Sequence, residues 1–344
     1  MLRSVLGGAV EHLSPTTTVV GETVHLGDRE YSFGVLGSPV QPMKDSNHLL
    51  NDPEALRAEL NTKGFLLIRG VHDRQAVLAA RSRVLRHLDQ AGGKLDPAHS
   101  VEEGVLLRQC GSACVPFMEG DTDLTRSEEV SRVLTGPRIT AFFRKLFGGE
   151  PLTFEYKWLR AMHSGGYTGV HADTVYMNRG TPNLITMWTP FGDVGTRMGT
   201  IAVVPASNCD GAFARLRETY GKMDAEAERL QGTGWFTTDP EECIRRFGAQ
   251  WLVTDFRAGD ALFFTMQTLH MSTKNVSGLA RVSCDTRWQH AADKADPRYV
   301  KAHAAGELGH AEAKFGVHAT AADGKAGPTI EEKKCEWGFN PLVT

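Results

Sequence analysis

The feature that most limits the fold is the texture of the chain beyond Leu152: short runs of β-branched and aromatic residues, each cut off by Gly, Asp, Asn or Pro. Runs at 153–162, 183–189, 200–204, 261–264 and 281–289 predict strands, and short strands with turn residues between them build a sandwich or a barrel. Residues 209–246 interrupt the pattern with a polar, helical stretch. That predicts an insertion between two strands, lying over one end of the β core.

The chain ahead of this region is helical. Asp52-Pro53-Glu54 has the order of a helix start: a capping carboxylate, a proline suited to the first turn, and an acid that favours the helix dipole. This helix is expected to reach Thr62 and stop near Gly64, and Phe65-Leu66-Leu67-Ile68-Arg69-Gly70 reads as a buried strand between glycines. Residues 74–88 place Val77, Leu78, Val84, Leu85 and Leu88 at helical spacing, with Arg81 breaking the stripe once. Residues 130–147 make a third helical stretch with a break at Pro137. Residues 1–50 predict an arm or an extra strand pair, and residues 291–326, rich in Ala, His, Gly and Lys, predict loosely ordered surface structure.

At 344 residues the chain suits a single β enzyme with insertions, and 41% hydrophobic residues are enough for a sizeable core. A net charge of -3 without long like-charge blocks argues against a general nucleic-acid or membrane-surface binder. Six cysteines are spread thinly, with Cys110 and Cys114 the one close pair. That density suits neither a disulfide framework nor a zinc site, so the expectation is reduced thiols and a cytoplasmic protein. The first residues, MLRSVLGGAVEHLSP, are too short and polar a run for a signal peptide or a membrane span.

The chemistry is carried by Gly169-Val170-His171-Ala172-Asp173. Side chains two apart on a strand share a face, so an imidazole nitrogen and a carboxylate oxygen can meet one divalent ion. Such a pair alone is common and points to little. A third ligand is offered by His270, which follows the Gly259-Asp260 turn and the buried run 261–264. Two histidines and one carboxylate on one face of a metal leave positions open, as oxygen-activating iron(II) requires. Arg281 opens the next strand. A dicarboxylate cosubstrate chelating the metal needs a fixed, two-pronged cation for its far carboxylate, which Arg provides better than Lys. Ser272 adds a hydroxyl donor for the same group. Two other readings stay open on these residues. A cupin-like metal oxygenase that does not use 2-oxoglutarate keeps the three ligands but leaves Arg281 without a role. A non-catalytic jelly-roll module binding metal or metabolite is the alternative from another class.

The order His171-x-Asp173, Trp188, Leu269-His270-x-Ser272 and Arg281, followed by Ser283-Cys284-Asp285-Thr286-Arg287-Trp288-Gln289, resembles the phytanoyl-CoA dioxygenase (PhyH) family. Lys63-Gly64-Phe65-Leu66-Leu67-Ile68-Arg69-Gly70-Val71 is similar to that family's first strand, and 198–208 to its strand and turn Asn-Gly-x-Leu-x-x-x-Pro-Gly-Ser-His. Met198, Ala206 and Asn208 depart from the usual residues of that turn. The resemblance runs over 56–290 and covers 209–250 only loosely.

It implies a mainly β fold with flanking helices, a double-stranded β-helix (jelly-roll, cupin-like) core, within a single domain over 1–344. Residues 1–50 would be an arm, 209–250 a lid and 291–344 an extension. It implies His171, Asp173 and His270 as iron(II) ligands, Arg281 and Ser272 as the anchor of 2-oxoglutarate, and Trp188 beside that cosubstrate. The implied reaction, with O2, is hydroxylation or another oxidation of a small molecule, with release of succinate and CO2. Halogenating relatives lack the carboxylate, so Asp173 favours oxygen transfer. On the substrate side, Tyr156, Lys157, Arg160, Tyr176, Asn178 and Arg179 are polar residues near the ligand strands, and Arg287 is expected at the pocket mouth; Lys157, Arg160, Tyr176 and Arg287 are the candidate substrate contacts. As a group they hint at a polar or anionic substrate.

Overall fold

The computed structural model describes residues 17–91, 94–107, 118, 120, 122–300 and 327–342. A hairpin of β1 (Thr23–Leu26) and β2 (Arg29–Ser32) leads to β3 (Val40–Pro42). Helix α1 (Pro53–Lys63) starts where expected, with Asp52 accepting hydrogen bonds from the N–H groups of Glu54 and Ala55. It ends at Gly64, whose φ of 83° is the left-handed cap that favours glycine. A Cβ there would come 2.7 Å from Asn208 Oδ1 and from Thr268 Oγ1, so this corner also requires glycine for space. Strand β4 (Phe65–Ile68) follows, then α2 (Arg74–Gln90), capped by Asp73. The third helical stretch divides at Pro137 into α3 (Glu128–Leu134) and α4 (Pro137–Phe147).

The run 153–162 is two strands rather than one: β5 (Pro151–Thr153) and β6 (Trp158–Met162). Between them the Phe154 N–H bonds to the Arg287 carbonyl and the Glu155 N–H to the Tyr299 carbonyl, which draws the backbone off the regular ladder. Then come β7 (Ile185–Pro190), β8 (Ile201–Val203), the short helices α5 (Ala214–Glu218) and α6 (Pro240–Phe247), β9 (Trp251–Val253), β10 (Ala261–Thr265), β11 (His270–Ser272) and β12 (Arg281–His290). Helix α7 (Ile330–Glu336) follows. Cys110, Cys114, residues 1–16 and 301–326 lie outside the described residues.

The strands form two principal sheets. One has the order β4-β10-β7-β12-β5, with β6 also pairing β12; the other runs β11-β8-β9-β3. The chain crosses between them from β7 to β8, from β9 to β10, and again on either side of β11, which is jelly-roll connectivity. The sheets are not a closed barrel. Strand β3 lies parallel to β9, so the N-terminal segment extends the smaller sheet, and Val24, Leu26, Phe33 and Val40 are buried in its core.

Alternation along the strands sorts the side chains into layers. Phe65, Leu67, Trp188, Val203, Leu262 and Phe264 meet between the sheets. The outer face of the larger sheet, through Ile185, Met187, Phe263 and Trp288, packs on Phe142, Phe143 and Leu146 of α4 and on α1. Phe143 stacks on Trp288 with ring centroids 4.3 Å apart. The outer face of the smaller sheet, through Ala202, Trp251 and Met271, is covered by Phe213 and Phe236 of the 209–250 insertion and by Phe339 after α7. Among the described residues no helix is long and apolar enough to cross a membrane.

His72, on the turn after β4, is a buried polar group in this core, with Nε2 3.4 Å from Thr189 Oγ1. Burial keeps its imidazole neutral down to about 3. The unfolded chain takes up that proton near the ordinary value of about 6.5. Stability from the neutral buried ring is therefore full above pH 6.5 and lost as pH falls toward 3, at no more than about 1.4 kcal/mol per pH unit. Urea denaturation at pH 7 and pH 5 is expected to show a smaller stability difference for His72→Asn than for the unsubstituted chain, by roughly 1–2 kcal/mol. An unchanged difference would contradict the buried neutral ring.

Candidate active site

The backbone brings two distant histidines together. The His171 N–H bonds to the His270 carbonyl and the His270 N–H to the His171 carbonyl, each at 3.0 Å, as a directly opposed antiparallel pair. Their side chains leave the ladder on one face, with ring centroids 4.1 Å apart. His171 Nδ1 lies 2.8 Å from the Gly169 carbonyl and His270 Nδ1 3.0 Å from the Thr268 carbonyl. A carbonyl only accepts, so both Nδ1 atoms carry a hydrogen and both Nε2 atoms are the ones turned toward the site.

Asp173 is not on the strand, as the spacing suggested. It opens a single 3₁₀ turn, Asp173–Val175, that carries its carboxylate back toward the rings. Its Oδ1 lies 3.7 Å from His171 Nε2 and 3.9 Å from His270 Nε2. Its other oxygen, Oδ2, accepts a hydrogen bond from Thr186 Oγ1 at 2.5 Å and lies 3.1 Å from Arg287 Nη2. Burial opposes charge on Asp173, yet the Arg287 guanidinium, the two imidazoles and the Thr186 hydroxyl hold its carboxyl well below the usual carboxylate range. Burial, helped by the neighbouring His270, lowers the pKa of His171 to about 3, so its ring is neutral. Three buried ligand atoms thus lie within 4.8 Å of one another. Lone pairs converging in this way repel unless a cation lies among them, and two imidazoles with one carboxylate suit iron(II).

Arg281, on the inner face of β12, is 2% exposed. Its Nε has no hydrogen-bond partner among the described residues, its Nη2 lies 3.5 Å from Met162 Sδ, and its guanidinium sits 5.8 Å from the Trp188 ring. Burial lowers its pKa to about 10, still high enough to keep it charged. Such a cation calls for an anion, as the far carboxylate of 2-oxoglutarate would be. Ser272, on the inner face of β11, accepts the Thr168 N–H at 2.7 Å, and its hydroxyl also faces Met162 Sδ, at 3.9 Å. The residues present therefore fit both the metal and the cosubstrate.

The other residues singled out from the sequence take varied positions. Arg287 is not at the pocket mouth; it is 3% exposed and beside Asp173. The reason is register, since β12 pairs it directly with Thr186 of β7 under the Asp173 carboxylate. Lys157 is buried, its ammonium bonded to the Phe154 and Glu155 carbonyls. Arg160 pairs with Asp285 at 2.5 Å and keeps about a third of its side chain exposed (31%). The Tyr176 hydroxyl donates to the Thr233 carbonyl, and its ring meets that of His171 edge-on at 5.9 Å. Sequence reasoning missed Thr186. The signal for it was present: it alternates with Trp188 on the same predicted strand and so shares that residue's inner face.

A jelly roll that gathers two histidines and a carboxylate between its sheets defines the class of non-haem iron oxygenases. The family model described as phytanoyl-CoA dioxygenase (PhyH) matches residues 60–283, more than half of the chain, and the chain belongs to that family. It is similar to 1-deoxypentalenic acid 11-beta-hydroxylase of Streptomyces exfoliatus, 25% identical over 261 residues, covering 72% of this chain and 84% of the relative. Among solved structures it is similar to the non-haem alpha-ketoglutarate-dependent epimerase SnoN of nogalamycin biosynthesis, with TM-score 0.48, 18% identity and coverage of 86% and 96%. It is also similar to EctD from S. alaskensis with 2-oxoglutarate and 5-hydroxyectoine, with TM-score 0.48, 15% identity and coverage of 81% and 90%. The protein is an iron- and 2-oxoglutarate-dependent oxygenase acting on a small molecule.

Removing a donor from the triad tests its geometry. Asp173→Ala and His270→Ala are each expected to weaken iron(II) binding, measured anaerobically by calorimetry, by more than the roughly 10–100-fold that loss of an outer partner costs. Circular dichroism should stay native. Retained affinity in either variant would mean that the metal lies elsewhere.

Proposed function

We propose that His171 Nε2, His270 Nε2 and Asp173 Oδ1 hold the iron, and that Arg281 with Ser272 anchors the far carboxylate of 2-oxoglutarate beside Trp188. The observation that carries this assignment is the pairing of a converged, buried donor set with a buried guanidinium that has an unsatisfied N–H. Arg281 also weighs against an oxygenase that dispenses with 2-oxoglutarate, because without a dicarboxylate its charge has no direct counterpart. When bound, iron and 2-oxoglutarate supply the oxidising power, and the cosubstrate leaves as succinate and CO2.

The protein's part is orientation and exclusion of water. The Gly169 and Thr268 carbonyls fix the two ring orientations. Trp235 closes on Gly169, where a Cβ would come within 2.6 Å of its ring, and the Val170–Thr237 bridge ties the ligand strand to the 209–250 insertion. This insertion acts as the lid over the site.

On the substrate side, Arg160 is the residue best placed to meet an incoming group. It is partly exposed, and its charge is felt at both His171 and Arg281. The hydroxylase relative is named for an acid, and a carboxylate-bearing small molecule suits Arg160 as well. The outcome is hydroxylation or another oxidation of the substrate and not halogenation, since the carboxylate of Asp173 occupies the position that halogenating relatives leave open. The described cysteines, 209, 243, 284 and 335, are free thiols.

Arg281→Ala separates the two roles. It is expected to raise the KM for 2-oxoglutarate about 100-fold, the loss of a charge-assisted bidentate contact, while iron(II) affinity changes less than about threefold. The readout is succinate formation against 2-oxoglutarate concentration. Equal damage to iron and cosubstrate binding would show that Arg281 supports the metal site instead.

A further inference from the structure

A carboxylate has two oxygens, and a divalent ion readily takes both. Here the two are treated differently. Asp173 Oδ1 faces the imidazoles, while Oδ2 is held by the Thr186 hydroxyl at 2.5 Å and the Arg287 guanidinium at 3.1 Å. Both donors come from the inner face of the larger sheet, where Thr186 of β7 and Arg287 of β12 are direct cross-strand partners. Neither depends on a loop for its position.

Arg287 is itself immobilised. It is 3% exposed, its guanidinium lies 4.4 Å from the centre of the Trp158 ring, and its Nε is 3.2 Å from Met177 Sδ. The Arg287 Nη1 has no partner among the described residues, so the guanidinium has been buried chiefly for the one contact with Asp173. A buried guanidinium is costly unless its charge is matched, and Asp173 is the partner that matches it.

We propose that Arg287 and Thr186 form a clamp that restricts Asp173 to one-oxygen ligation, keeping a coordination position open at the metal; Arg287 is thus a positioning residue and not a substrate contact. The proposal rests on the metal role given above to Asp173. An ion approaching Oδ2 would have to displace a buried ion pair and a short hydroxyl bond, whereas Oδ1 is unencumbered. The same strand carries Arg281 on the same face, so metal geometry and cosubstrate anchoring share one rigid element.

Cobalt(II) is the probe, because its visible ligand-field spectrum reports coordination number without turnover. With the unsubstituted chain, Arg287→Gln, Arg287→Lys and Thr186→Val, cobalt(II) is titrated and the spectrum recorded at saturation. Arg287→Gln is expected to weaken cobalt binding 10–100-fold and to change band intensity at saturation. Arg287→Lys is expected to restore most of the affinity but only part of the spectrum, since a point charge replaces the planar fork.

Thr186→Val should shift the spectrum in the same direction with a smaller loss of affinity, and it stands in for Arg287→Gln if that variant does not fold. Lys334→Gln is the control for a lost buried ion pair. Lys334 is 2% exposed and bonded to Glu242 and Glu331, away from the site, and its loss should lower thermal stability without touching affinity or spectrum. Wild-type affinity and spectrum in folded Arg287→Gln, or in Thr186→Val, would overturn the clamp while leaving Asp173 as a ligand. Failure of the unsubstituted chain to bind cobalt would instead overturn the metal reading beneath it.

Discussion

The site depends on one reciprocal pair of backbone hydrogen bonds, between His171 and His270. Buried N–H and C=O groups must find partners, and these two residues satisfy each other. The pairing sets the separation of the imidazoles, their common face and the place where a third donor must arrive. It is held from both sides. The Val204 N–H bonds to the Leu269 carbonyl just before His270, and the Phe236 N–H bonds to the Val170 carbonyl just before His171. The insertion that covers the smaller sheet therefore also braces the segment that carries His171.

Strand β12 organises the remainder. Its outward residues, Val282, Cys284 and Trp288, pack against helices, while Arg281, Asp285 and Arg287 face inward. A strand interior with this much charge persists only where each charge has a counterpart. Arg287 has Asp173 and Asp285 has Arg160, whereas Arg281 has no ion-pair partner among the described residues. The helices on the outer faces pack against this sheet, and the register of β12 on β7 places Thr186 and Arg287 under one carboxylate oxygen.

Much of this was legible in the sequence, for identifiable reasons. Helix starts at Asp52 and Asp73 and the break at Pro137 are local events governed by neighbouring residues, and strands such as β7 and β10 announce themselves by β-branched and aromatic residues between turn residues. Strands β9 and β11, of three residues each, are too short to show a period. The gap between β5 and β6 is made by contacts to distant carbonyls, and Asp173 leaves the strand because a 3₁₀ turn forms at once after the pairing residue. The face of Arg287 was readable from alternation. Its partner was not, because that contact is set by cross-strand register between β12 and β7.

The central claim is that this donor triad and Arg281 together bind iron(II) and 2-oxoglutarate as one chelate. The most direct measurement is an anaerobic titration of the iron-loaded protein with 2-oxoglutarate, following the visible metal-to-ligand charge-transfer band of the chelate. The account predicts a band that saturates at one 2-oxoglutarate per chain. Iron binding with no such band at any 2-oxoglutarate concentration would contradict it.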